Sequence, residues 1–425
     1  MDNISAMAYA DDIVLVSTTK EGLQKAINAT YNYCKKWKLE VNSKKTKCVT
    51  FTKGTQKENH IFRIGEQPLE NTREMKYLGI SMNKQNASFT PAVEALKTKA
   101  TRALYGLRSK IDFRQLPVSL SLKLFDCLIR PILLYASEVW VPFMNHDSSK
   151  WDYNVIERVH MQFIKRILGV NRSTTNILVR GEVNRHSLLD EATRRNIRYA
   201  GYIHKKDPDT LVKQAYEYQL SRPLNSITFM NIINEHSGSI SSMHKEFLPY
   251  SNPYENIYAI EEKKMNKYIY LIFHKEWRDN LDKSKKGECY KSFKEKMKFE
   301  PYLNNLKRPQ RVVLTKLRTS DHKLLIEEGR RMKPQIPREE RICKFCNNGI
   351  ESEEHFLVEC PLYGRRQIFF NKVSESVPQF MQLNPHQKFI FLMTQEDDGI
   401  TKMLVKEIQE WLSLRNIILS YFFQP

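Results

Sequence analysis

Two short apolar runs, Ala6 to Tyr9 and Ile13 to Ser17, flank the pair Asp11-Asp12 and predict a β-hairpin with both acids at its bend. Thr18, followed three residues later by Glu21, predicts a capping box that opens a helix. The apolar face of that helix runs Leu23, Ala26, Ile27, Tyr31, Cys34 and Trp37, the spacing of a helical stripe. Short strands are predicted at Cys48 to Thr52, Ile61 to Ile64 and Lys76 to Ser81, the last two separated by a turn at Gly65 to Pro68.

From about Phe89 the period becomes helical. Val93, Leu96, Ala100, Leu104, Leu107 and Ile111 form one stripe. Pro117 suits the first turn of the next helix, and Pro131 should kink or divide it. Trp151, Val155, Ile156, Val159, Phe163 and Ile167 form another stripe, stopped by Gly169, and Asp190 to Lys205 is a basic helix candidate. Arg222 to Asn256 is polar and rich in turn formers, which reads as a linker or loose loop. Lys263 to Phe299 is charge-dense, and its aromatics (Tyr268, Tyr270, Phe273, Trp277, Tyr290, Phe293) are expected mostly as core positions of amphipathic helices.

At 425 residues the chain has room for two or more domains. Its formal net charge of +20 points to a polyanionic partner, since Lys and Arg contacts to phosphates release counterions. The competing explanation is a solvated basic surface kept for solubility. The seven cysteines, without a secretory signal, favour reduced thiols or a metal site over a disulfide framework. The longest apolar stretch, Cys127 to Phe143, is broken by Arg130, Pro131 and Glu138, so no membrane span or membrane partner is expected.

Two constellations carry chemistry. Asp11 and Asp12 on a hairpin bend are a suitable support for Mg²⁺, a hard ion that takes carboxylate oxygen, although Asp is also common at turns for local reasons. Cys343 and Cys346, then His355 and Cys360, can give four soft ligands around tetrahedral Zn²⁺. The donors leave no place for substrate, so this site reads as structural; packing of the cysteines as small apolar residues is the alternative. Asn347, Asn348 and Gly349 allow the turn, and Glu353-Glu354 lead into the histidine on a helix. Cys34, Cys48, Cys127 and Cys289 are expected as packed thiols, and His60, His160, His186 and His204 show no catalytic neighbours in sequence. No phosphate-binding loop, dinucleotide fingerprint or nucleophile elbow is present.

The order of Tyr9-Ala10-Asp11-Asp12, the capped helix, Leu39-Glu40-Val41-Asn42 with Lys45-Thr46-Lys47, and Lys76-Tyr77-Leu78-Gly79-Ile80 resembles the palm of a reverse transcriptase of the non-LTR retrotransposon type. Leu128-Ile129-Arg130-Pro131-Ile132-Leu133-Leu134-Tyr135-Ala136 looks like the thumb of such enzymes. Leu314-Thr315-Lys316-Leu317-Arg318-Thr319, Cys343-Lys344-Phe345-Cys346, Glu354-His355-Phe356-Leu357 and Cys360-Pro361-Leu362-Tyr363 resemble the family's C-terminal zinc-binding region. The resemblance implies that Asp11 is a direct Mg²⁺ ligand with Asp12 as supporting acid. It makes Tyr9, beside the pair, a nucleotide- or primer-binding residue, and places Lys45 near the triphosphate and Tyr77, Leu78 and Gly79 near the primer end. For Lys45 a solvated lysine, and for Tyr77 and Leu78 a buried strand, are the competing explanations.

The resemblance therefore implies an α+β chain: a truncated reverse-transcriptase palm, a mainly α-helical thumb and connector, and a small structural zinc module. The boundaries are residues 1–85 for the palm, 86–170 for the thumb-like region, 171–335 for a basic connector with a linker near 222–256, 336–370 for the zinc module and 371–425 for C-terminal helices. It implies RNA-directed DNA polymerase ancestry, with an RNA template, a DNA primer or target, dNTP, Mg²⁺ and structural Zn²⁺. The family carries another metal-binding Asp on a strand well before the hairpin, with fingers ahead of that. Met1 lies too near Tyr9 for either, and no endonuclease region is visible, so polymerase activity from this chain alone is not expected. A non-catalytic RNA- or DNA-binding protein derived from such an element is the alternative, and a zinc-dependent protein-interaction module a third. An intracellular, nuclear location is the expectation from the family's action on chromosomal DNA.

Overall fold

The structure is a computed structural model and describes residues 6–51, 60–83, 89–143, 148–220 and 262–422. The polar stretch expected as a linker, Arg222 to Asn256, lies outside the described residues. Helices dominate, and the strands among the described residues pair into four two-stranded sheets, so the class is α+β. The chain forms two compact units. One comprises Met1–Lys99, Leu133–Asn145 and Ala192–Glu262; the other comprises Ala100–Ile132, His146–Glu191 and Lys263–Pro425.

In the first unit, strands Ala6–Tyr9 and Asp12–Leu15 pair antiparallel and lead into the helix Lys20–Lys36. The cap of that helix is Thr19 rather than Thr18: its hydroxyl accepts from the Gly22 N–H at 3.1 Å. Ser17 decides this, because its hydroxyl accepts from the Thr19 N–H and donates to the Thr19 carbonyl, turning the chain one residue later than expected. Ile27 and Cys34 from the helix are buried, and Ile27 joins Cys48, Phe62, Ile64 and Leu69, with Leu15, Leu23 and Val41 packed against them. That small core holds the acid-bearing hairpin to the rest of the unit through Leu15. Tyr31 and Trp37 of the predicted stripe are exposed.

The segment Lys76 to Ser81 is a hairpin, not one strand. Glu74–Tyr77 pairs with Ile80–Asn83, and Leu78-Gly79 make the two-residue turn, with φ 46° and 84°. Two consecutive positive φ values fit the right-handed twist of the flanking strands, which is why this turn closes where alternating hydrophobicity suggested a continuous strand.

The helix Thr90–Arg108 follows, with Val93, Leu96, Ala100 and Leu104 of its stripe buried. Pro117 sits at the N-cap of Val118–Leu128 rather than inside its first turn. The apolar run then divides, as Pro131 requires: Ile129 closes one helix and Arg130–Leu133 forms a separate turn. In the second unit the helix Val155–Leu168 buries Ile156, Val159, Phe163 and Ile167 and ends at Gly169. Phe163 packs on Phe113 and Phe125. The helices Glu262–Lys283 and Glu288–Phe293 bury Phe273, Trp277, Tyr290 and Phe293, while Tyr270 stays partly exposed. Most of those aromatics are core, as expected. Among the described residues no helix is long and apolar enough to cross a membrane.

Candidate functional site

The register of the first hairpin fixes where its carboxylates stand. Tyr9 is paired with Asp12, leaving Ala10 and Asp11 as a two-residue turn with Ala10 at φ 53°. Directly opposed residues share one face of a strand pair, so Tyr9 and Asp12 lie together, while Leu15 lies on the other face, toward the core. Both acids are exposed and Tyr9 is 65 % exposed. Among the described residues no third His, Cys, Asp or Glu joins Asp11 and Asp12 in a group able to hold a metal. The hairpin thus carries two exposed carboxylates at neighbouring positions, Asp11 in the turn and Asp12 on the adjoining strand end.

The Asn42-x-x-Lys45-Thr46 stretch is a side-chain-capped turn. The Asn42 amide oxygen accepts from the Lys45 N–H at 3.1 Å, and the Thr46 hydroxyl donates to the Asn42 carbonyl at 2.9 Å. This leaves the Lys45 ammonium exposed. Tyr77 is half-buried and Leu78 is 37 % exposed at the hairpin tip, so the buried-strand explanation fails for Leu78. Sequence reasoning missed what fixes this tip: the Tyr135 hydroxyl donates to the Leu78 carbonyl at 2.8 Å. A Cβ on Gly79 would meet the Tyr135 ring at 3.1 Å, so both the positive φ and the close ring call for glycine there.

The four residues Cys343, Cys346, His355 and Cys360 converge, with all their ligand atoms within 4.8 Å of one another. Cys343 Sγ lies 3.8 Å from Cys360 Sγ, and Cys346 Sγ lies 3.3 Å from His355 Nε2. A tetrahedral ion with ordinary zinc bond lengths sets S···S near ~3.8 Å and S···N near ~3.6 Å. The donors fit.

Backbone geometry builds this arrangement. The segment from Cys343 folds back through Asn347 at φ 50° and Gly349 at φ 85°, closed by the Cys343 N–H to the Gly349 carbonyl at 3.0 Å. On the other side His355–Glu359 forms one wide turn in which the Cys360 N–H reaches the His355 carbonyl at 2.8 Å. Hydrogen bonds from Cys360 and His355, with backbone N–H groups of Phe345 and Cys346, pull the Cys343 thiol down to about 3 against its burial. The same shared proton, together with burial, pushes Cys360 up. His355 is raised: burial opposes its charge, but Cys343 and Glu359 outweigh that. One proton shared among convergent thiols is the electrostatic character of a site that a divalent cation would neutralise.

Cys34 and Cys48 are buried as expected, whereas Cys127 is exposed and Cys289 half-buried. Cys127 falls on the outer side of a helix that buries Leu122 and Phe125, so it does not act as a packed thiol.

Three buried charge groups of the second unit were not legible as such. Glu157 accepts from Leu188 N–H at 2.7 Å, Arg180 at 2.8 Å and Trp151 at 3.2 Å, and lies 3.0 Å from His160 Nδ1. Arg318 makes a two-pronged pair with Glu182 at 2.8 and 2.9 Å, and Tyr302 donates to the same carboxylate at 2.6 Å. The Leu314–Thr319 stretch is thereby accounted for: Leu314 and Leu317 face the core, and Arg318 supplies the buried ion pair. The acids flanking the Cys/His cluster form the third group. Glu351 pairs with Arg415 at 2.7 and 2.9 Å, and Glu353 lies 2.9 Å from His322 Nε2.

Residues 1–82 match the reverse transcriptase (RNA-dependent DNA polymerase) family. The chain is similar to the "Probable RNA-directed DNA polymerase from transposon BS" of Drosophila melanogaster, 24 % identical over 46 % of this chain and 22 % of that protein. It is also similar to the RNA-directed DNA polymerase from mobile element jockey of Drosophila funebris, 26 % identical over 31 % of this chain and 15 % of that protein. A transposon-derived protein of Caenorhabditis elegans is 26 % identical over 32 % of this chain and 49 % of that protein. The aligned part thus spans less than half of each of these relatives. The N-terminal part of the chain is thus similar to the reverse transcriptase family, and the chain to RNA-directed DNA polymerases of a transposon and a mobile element, as its motifs implied.

Proposed function

We propose that this chain supplies the C-terminal part of an RNA-directed DNA polymerase of a non-LTR retrotransposon, and that the described residues do not assemble its two-metal centre by themselves. The observation that carries the proposal is the Tyr9-to-Asp12 hairpin, with one exposed carboxylate in its two-residue turn and the next on the adjoining strand end, inside the family match. In the assembled centre Asp11 would ligate Mg²⁺ directly and Asp12 would support it. The ions would activate a primer 3′-hydroxyl and neutralise the leaving pyrophosphate. Lys45 would face the incoming dNTP, and the Tyr77-Leu78-Gly79 turn, braced by Tyr135, would lie at the primer end. The helices after Phe89 would act as thumb and connector, gripping template and primer through phosphates. Cys343, Cys346, His355 and Cys360 would hold a structural Zn²⁺.

The test is primer extension on an RNA template with Mg²⁺. The expected result is no Asp11-dependent extension by this chain alone, together with binding of the RNA–DNA primer–template whose log K falls steeply and linearly with log salt. Extension that is lost in Asp11→Ala would overturn the incomplete-centre reading, and negligible, salt-insensitive binding would overturn the nucleic-acid reading. The net charge of +20 also supports a second reading, a non-catalytic RNA- or DNA-binding protein derived from such an element. Equal affinity for primer–template and for a duplex without a primer end would favour it.

A further inference from the structure

We propose that Glu359 is a positioning residue for the zinc centre: it anchors the Nδ1 edge of His355 and so makes Nε2 the metal-binding nitrogen. This rests on the zinc reading above. The two ring nitrogens of a histidine point in different directions, so the partner of one decides which is left for the metal. Here Nε2 faces the Cys346 sulfur at 3.3 Å, while Nδ1 lies 3.1 Å from a carboxylate oxygen of Glu359.

Local structure makes that contact directional. Glu359 follows His355 by four residues on the wide turn, so its side chain reaches back over the same face. The imidazole is buried and the Glu359 side chain is 45 % exposed, so the carboxylate bridges from solvent down onto the ring edge. Gly349 backs that edge from the other side: a Cβ there would come 3.5 Å from Nδ1. The Nδ1 edge is thus enclosed by Glu359 and the Cys346–Gly349 turn, and the Nε2 edge opens toward the sulfurs. A carboxylate accepting from the far N–H also makes the ligating nitrogen more basic, which strengthens its bond to the metal.

The experiment measures zinc affinity of the whole chain by chelator competition, together with the visible absorption of the Co²⁺-loaded protein, for the parent, Glu359→Ala and Glu359→Gln. Loss of an outer-sphere partner costs metal affinity about 10–100-fold, so Glu359→Ala should weaken zinc by that factor. Glu359→Gln, whose amide oxygen can still accept from Nδ1, should recover part of the loss. The tetrahedral three-sulfur, one-nitrogen Co²⁺ spectrum should persist in both variants, because all four ligands remain. Affinity in Glu359→Ala within about twofold of the parent, well under the loss expected for an outer-sphere partner, would overturn the positioning role while leaving the zinc site intact. A parent chain that takes up neither Zn²⁺ nor Co²⁺ would instead overturn the zinc reading itself.

Discussion

Tyr135 donates its hydroxyl to the carbonyl of Leu78 at 2.8 Å, joining two stretches that lie 57 residues apart. Leu78-Gly79 is the tip of a hairpin, and Tyr135 follows the turn around Pro131. The backbone position of the tip is therefore set by a side chain from the segment just after the helical turn Arg130–Leu133.

Gly79→Ala should destabilise this tip, because φ 84° costs an L-residue roughly 1–2 kcal/mol and the new Cβ would press on the Tyr135 ring at 3.1 Å. Tyr135→Phe removes only a partly exposed hydrogen bond, worth about 0.5–1.5 kcal/mol at most. Hydrogen exchange of the amides in Glu74–Asn83 should quicken in both variants, more in the glycine variant. Unchanged exchange in Gly79→Ala would contradict the bracing.

Arg318 and Glu182 are both buried, and without Glu182 the guanidinium keeps only Glu300, at 3.1 Å, as a carboxylate partner. Glu182→Gln should cost up to about 3 kcal/mol, read as a loss of denaturation midpoint with unchanged slope. Exchanging both residues for apolar ones of similar volume should cost much less. A single variant with parent stability would show that the pair does not hold the second unit together.

Acid should weaken the second unit through Glu157 and Glu353. Burial alone would raise each carboxyl, but His160 and Arg180 hold Glu157, and His322 and Ser320 hold Glu353, at about 2 against an ordinary 4.5. A depressed carboxyl contributes stability above its unfolded value and loses it as pH falls toward the folded value. Each should therefore forfeit roughly 3 kcal/mol between about pH 4.5 and pH 2. In the proposed zinc centre, thiolate protonation would release metal at acid pH as well. Glu157→Gln isolates the first carboxyl: its stability should be lower at neutral pH and fall less steeply on acidification. A parallel acid slope would contradict the assignment.

Metal removal should free the C-terminal half of the helix Asp398–Phe422, which carries Trp411 and Arg415. Trp411 stacks on Tyr363 at 5.4 Å, and Arg415 is held by Glu351 and the Phe345 ring, all of them within or beside the zinc module. Small zinc modules rarely hold their fold without the ion. A strong chelator should red-shift the fluorescence of Trp411, with Trp411→Phe removing that change. Unaltered Trp411 emission after chelation would show that the helix docks independently of metal.

What was legible in the sequence follows from how local each feature is. The acid hairpin, the stripe ending at Gly169 and the Cys/His spacing are set by residues a few positions apart, and periodicity or spacing exposes them. The hairpin at Leu78-Gly79 was misread because a lone glycine does not reveal that its neighbour also adopts a positive φ. The Thr19 cap was missed by one residue because Ser17 competes for the turn. Tyr135 on Leu78, Arg318 on Glu182 and Arg415 on Glu351 are side-chain meetings across 57, 136 and 64 residues, which no local pattern encodes. Glu359 is the exception: its four-residue spacing from His355 was visible and could have been read.

The proposed function rests on Asp11, in the hairpin turn, and Asp12, beside it, taking up a divalent ion. Titration with Mn²⁺, reading paramagnetic broadening of backbone NMR signals in Ala6–Leu15, tests it most directly. Broadening should centre on Asp11 and Asp12, be reversed by excess Mg²⁺ and vanish in the Asp11→Asn/Asp12→Asn double variant. Sharp hairpin signals throughout, or broadening that survives the double variant, would contradict it.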